Sequence, residues 1–139
     1  MLHAGRRAAR ANGEPDVSIL DTAMAFHAAG CCPIPASNDG SKSPYGTWKE
    51  YQTVRPAPGQ LIEWFMGGWP GLGIVCGAVS GGLEMLEFEG RARPIMADVL
   101  ALMTAAGLSE LWDRIFAGYT EGTPGGGVHL LYRVTGMAV

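Results

Sequence analysis

The sequence has no apolar run approaching the ~18 residues that a membrane-crossing helix needs, so no membrane partner is expected. It is also poor in cysteine. Cys31, Cys32 and Cys76 are an odd number with an adjacent pair, a weak basis for a disulfide framework, and they point to a reducing cytoplasm. Adjacent cysteines lack the two-residue spacer of common zinc sites, which leaves buried structural thiols as the plain reading. Positive charge is scarce as well. The net charge is −3, which counts against gripping nucleic acid by bulk electrostatics. Three of the ten basic residues (Arg6, Arg7 and Arg10) sit in an N-terminal arm, while twelve of the thirteen acidic residues lie from Asp16 onward. Any nucleic-acid contact in the body of the chain must therefore be local. The first 13 residues lack the apolar core of a signal peptide. Residues 1–15 read as a disordered basic arm.

What is present describes an ordinary globular chain. Its 139 residues fit one domain, over 16–139, that can bury about two-thirds of its unfolded surface without disulfides. Apolar residues make up 47% and charged residues 17%, and the 21 glycines follow no fixed period. The pattern predicts a helix over Asp16–Ala29, with Ser18 and Asp21 spaced as a capping box and Gly30 as its stop. Cys31–Pro35 reads as an edge strand, because proline cannot donate in a central ladder. Residues 36–58 read mostly as loop, Gln60–Met66 as a short helix, and Leu72–Cys76 with Leu83–Glu89 as two strands of a hairpin. Arg93–Ala106 and Leu108–Phe116 read as helices, Gly118–Gly127 as a loop, and Val128–Val134 as a last strand. The expected class is α/β or α+β, with helices packed on a small mixed sheet.

Three patches carry candidate chemistry. In a strand, alternate side chains share a face, so Leu86 and Phe88 turn to a core. Glu87 and Glu89 then project together about 7 Å apart, a spacing that suits hard cations such as Mg²⁺ or Mn²⁺. A solvated strand face has the same pattern. In Thr123–Tyr132, the glycines Gly125, Gly126 and Gly127 would let backbone amides approach a phosphate, and His129 follows on the next strand. A hairpin turn with one polar residue is the alternative. Lys42, in the loop Lys42–Lys49, could reach a phosphate or a base beside Trp48, or simply decorate a surface loop. Arg133 shares the face of His129 and is a second candidate for a triphosphate contact.

Taken in order, these segments resemble the bifunctional DNA primase/polymerase N-terminal domain, the Prim-Pol family of the archaeo-eukaryotic primase superfamily. The resemblance rests on the opening helix, the short strand ending in Pro35, and Lys42, Pro44 and Trp48. It continues through Gly73–Gly77, Ser80–Leu83, the acidic pair Glu87-Phe88-Glu89, and Thr123–His129. It spans about Asp16 to Val134. It implies template-directed synthesis of DNA or RNA primers from nucleoside triphosphates, with Mg²⁺ or Mn²⁺ held by Glu87 and Glu89. His129 would contact the incoming nucleotide and take part in catalysis. Lys42, Gly125, Gly126, Gly127 and Arg133 would complete the nucleotide site. The implied partners are nucleoside triphosphates, a single-stranded DNA template and a replicative helicase.

The chain departs from that family pattern in three places. Both acids are Glu where the family writes Asp. Gly125 stands where Ser is usual. No Asp or Glu follows Glu121, whereas the family's third metal acid lies on a strand beyond the histidine. These departures suggest a domain incomplete at its C-terminal end, with an unpaired sheet edge. The alternative function is a non-catalytic remnant that binds nucleotide or single-stranded DNA.

Overall fold

The computed structural model describes residues 2–4, 18–41 and 43–136. They form an α+β fold that divides into two compact units, over residues 1–82 and 83–138. The strands fall into two antiparallel three-stranded sheets rather than one mixed sheet. No helix among the described residues is long and apolar enough to cross a membrane.

The first unit contains β1 (Leu2–Ala4), α1 (Ile19–Ala28), β2 (Cys32–Ala36), α2 (Pro58–Met66) and β3 (Gly71–Val75). β3 lies in the middle, with β1 and β2 antiparallel on either side. The arm expected to be disordered contributes Leu2–Ala4 to a sheet, and the rest of it lies outside the described residues. α1 begins where the sequence indicates. The Ser18 hydroxyl accepts from the Asp21 amide, and the Asp21 carboxylate accepts from the Ser18 amide, which satisfies two donors that a helix start leaves open. Gly30 follows at φ 82°, where a side chain would be strained. Ile34, Leu61, Leu72 and Ile74 are fully buried, and Ala23 and Phe65 join them.

Cys32 is buried in this core, and its thiol donates to the Tyr51 carbonyl at 3.3 Å. Burial pushes the thiol pKa up to about 11, with the Arg55 charge offsetting part of the rise. Its thiolate therefore forms only as pH climbs toward that value. At pH 8, iodoacetamide is expected to label the partly exposed Cys76 well before Cys32. Timed mass spectrometry of the native chain checks this.

The second unit contains β4 (Leu83–Phe88), a 3₁₀ turn at Gly90–Ala92, α3 (Ile95–Ala105), α4 (Ser109–Phe116), β5 (Tyr119–Gly122) and β6 (Val128–Arg133). β6 is central, between β4 and β5, and both pairings are antiparallel. One face of the sheet carries Phe88, Val128 and Leu130, which pack with Trp112 of α4 and with Met96, Val99 and Met103 of α3. Phe88 meets Trp112 edge-on, with centroids 6.4 Å apart. Ile95 and Leu100 of α3 are exposed.

Two sequence expectations are corrected. β3 and β4 are not a hairpin: β3 pairs with β1 and β2, and β4 pairs with β6. The connection after β3 contains a 3₁₀ turn at Ala78–Ser80 and glycines at positive φ at 77, 81 and 82, a longer path than a two-residue hairpin turn. The Ser80 hydroxyl anchors it by donating to the Val75 carbonyl and accepting from the Cys32 amide at 2.8 Å. Second, Gly118–Gly127 is not all loop. Tyr119–Gly122 forms β5, and the hairpin to β6 turns through residues 123–127.

Candidate metal centre

The site face of the second sheet is the one opposite its core. Glu87 on β4 is directly across from His129 on β6, and Glu121 on β5 is directly across from His129 on its other side. Residues opposite one another in a sheet share a face, so Glu87, His129 and Glu121 form one row. Glu89 is one residue past the end of β4, on the same alternating side as Glu87.

The side chains converge. His129 Nε2 lies 3.3 Å from Glu87 Oε1 and 3.7 Å from Glu89 Oε1. One ligand atom from each of the three residues falls within 4.8 Å of the other two, so the group is able to hold a metal ion. His129 is 97% buried while the Glu87 side chain is about one-third exposed, which puts the imidazole beneath carboxylates that still reach water. His129 Nδ1 is buried and has no hydrogen-bond partner, so the polar chemistry of the ring is directed through Nε2 toward the acids. Two carboxylates and one imidazole are a donor set that accepts Mn²⁺ as well as Mg²⁺.

Thr123 orients Glu89. Its hydroxyl accepts from the Gly127 amide at 2.9 Å and donates to Glu89 Oε2 at 3.1 Å, leaving Oε1 turned toward His129. The glycine turn itself serves closure. The Gly126 amide donates to the Thr123 carbonyl, and the Gly127 amide is held by the Thr123 hydroxyl. Two of the three amides expected to face a phosphate are therefore taken up inside the turn. A Cβ on Gly127 would lie 2.7 Å from both Glu89 Oε2 and the Phe88 carbonyl, so the backbone passes where only glycine fits.

The remaining sequence candidates are dispersed. Arg133 is four residues along β6 from His129, across from Leu83, about 13 Å away along the strand. Lys42 lies outside the described residues. Three features were not read from the sequence: the place of Glu121 in the row of His129, Thr123 as the partner of Glu89, and Arg93, whose guanidinium donates to the Gly126 carbonyl at 3.3 Å on the rim of the site. Glu121 could have been found by counting back across the turn, since the Gly122–Val128 pair puts it opposite His129. Nothing local marks Arg93.

The sequence model of the family described as bifunctional DNA primase/polymerase, N-terminal, matches residues 21–138. The chain belongs to this family. The match takes in every strand but β1 and all three residues of the candidate metal centre, so this Prim-Pol domain carries its acidic pair and histidine as one cluster. No curated protein and no solved structure matches it.

Proposed function

We propose that this Prim-Pol domain joins nucleoside triphosphates into a primer on a single-stranded DNA template, with Glu87 and Glu89 holding Mg²⁺ or Mn²⁺ and His129 at the incoming nucleotide. The observation that carries the reading is the convergence of two carboxylates and a buried imidazole, donor atoms within 4.8 Å, in a chain of this family. Glu87, Glu89 and His129 would hold the divalent cation, which would supply charge neutralisation at the phosphates and activation of the attacking hydroxyl. The protein's own part is preorganisation. Thr123 fixes Glu89, and burial fixes His129, so little reordering is left for the moment of reaction.

The test is primer synthesis by the full chain on single-stranded DNA with Mn²⁺ or Mg²⁺ and either dNTPs or rNTPs. Labelled products support the reading. Binding of nucleotide or single-stranded DNA without products, over both metals and both nucleotide types, favours the non-catalytic alternative instead.

Arg93 is the cation we assign to the phosphates, because it stands on the glycine turn beside Glu89 whereas Arg133 is at the far end of β6. Arg93→Ala is expected to raise the KM for nucleotide about tenfold, the scale of a lost charge-assisted hydrogen bond. Arg133→Ala is expected to leave it within about twofold. Steady-state kinetics of the two variants decide between them, and the reverse ranking sinks the assignment.

A further inference from the structure

The first unit contains a concave feature of its own. A cavity of about 200 Å³ is walled by Tyr45, Trp48, Tyr51, Trp64 and Trp69, with Glu50 and Gln60 also on its lining. Three of the chain's four tryptophans are here. Tyr45 and Trp69 pack at 4.3 Å between centroids, tilted by 49°, and Tyr51 meets Trp64 edge-on at 5.3 Å. These rings have not closed over one another into a core, since Tyr45 and Trp69 are each 37% exposed. Backbone bonds hold their supports in place. The Tyr45 amide donates to the Pro35 carbonyl at 3.0 Å, and the Tyr51 amide to the Trp48 carbonyl at 3.0 Å.

Size and chemistry limit what fits. The volume far exceeds the ~30 Å³ share of a water molecule and falls below the ~300 Å³ at which drug-sized sites begin, which leaves room for one planar ring system. Aromatic faces attract a planar π-system, while Glu50 and Gln60 offer edge partners to amino and carbonyl groups. We infer that this cleft stacks one unpaired base of the single-stranded template, an inference that rests on the proposed template-directed function. A free triphosphate would carry about four negative charges to a lining that includes Glu50. A strand brings only one phosphate per base. Stacking is also the mode open to a chain of net charge −3, because it needs few phosphate contacts.

The experiment is fluorescence anisotropy of a labelled single-stranded dT oligonucleotide with the full chain in EDTA, which separates binding from metal chemistry. Trp69→Ala is expected to weaken binding roughly 5- to 150-fold, the range measured for loss of one base–aromatic stack. Trp69→Phe is expected to keep most of the affinity, and an abasic oligonucleotide to bind wild type as poorly as dT binds the alanine variant. Equal affinity for abasic and dT strands, or an unchanged Trp69→Ala, overturns the inference. So does a Trp69→Ala variant that loses dTTP binding while retaining the oligonucleotide, since the occupant is then a free nucleotide. Trp69-dependent binding with no primer synthesis in the preceding assay overturns the polymerase reading and leaves the base-stacking cleft standing.

Discussion

Replacing Glu87 and Glu89 together by glutamine is expected to abolish Mn²⁺ binding and to lower primer synthesis roughly a thousandfold or more. Each substitution keeps the size of the side chain and removes the charge that a divalent cation needs. Stabilisation of transferring phosphate charge by a metal amounts to several kcal/mol, and each 1.36 kcal/mol is a factor of ten in rate. The fold should not suffer. Both acids lie at the edge strand or just beyond it and reach solvent, and their removal relieves a like-charge contact while an amide oxygen remains to accept from His129 Nε2. The expected pattern is therefore an unchanged or slightly raised Tm with lost metal affinity, measured by thermal unfolding and isothermal titration of Mn²⁺. If titration gives the wild-type affinity, these two acids do not hold the metal.

Gly127→Ala is expected to be the most damaging single-methyl change in the second unit. The added Cβ would stand 2.7 Å from Glu89 Oε2, 2.7 Å from the Phe88 carbonyl and 2.9 Å from the Glu89 Cα. Two of these are backbone atoms of the strand end that carries the acid, so they cannot swing aside. The turn must shift, and with it the Thr123 hydroxyl that orients Glu89. Overpacking of this kind costs about 1–3 kcal/mol, which lowers Tm by several degrees in a chain of this size. Mn²⁺ affinity should fall with it. Gly125→Ala is the control, because its Cβ would meet Glu89 Oε2 at an ordinary 3.5 Å. Equal behaviour of the two variants in thermal unfolding and Mn²⁺ titration removes the argument from close approach.

These two results also separate what was legible in the chain from what was not. The capping box at Ser18 and Asp21 could be read because it is complete within four residues. The common side of Glu87 and Glu89 could be read because alternation along a strand is a local rule. The supposed hairpin of β3 with β4 failed for the complementary reason. Adjacency in sequence favours pairing, yet β4 finds its partner 40 or more residues later. β5 was missed because five glycines between 118 and 127 masked four residues that pair well once β6 is beside them. With β5 absent, Glu121 looked like a loop acid, although it stands in the same row as Glu87 and His129.

By itself, the sequence determined the donor types, their order, the shared side of the two acids and the family to which they belong. Those properties depend on residue identity, short-range periodicity and spacing along the chain. Tertiary structure decided that β6 lies between β4 and β5, so that His129 meets Glu87 from 42 residues away. It decided that Gly127 must be glycine because a neighbouring strand end occupies the space a side chain would take. It also brought the rings of residues 45–69 around one cleft. The physical reason is common to all three. Strand register, close approach and burial are set by which distant segments pair, and no local pattern encodes that choice.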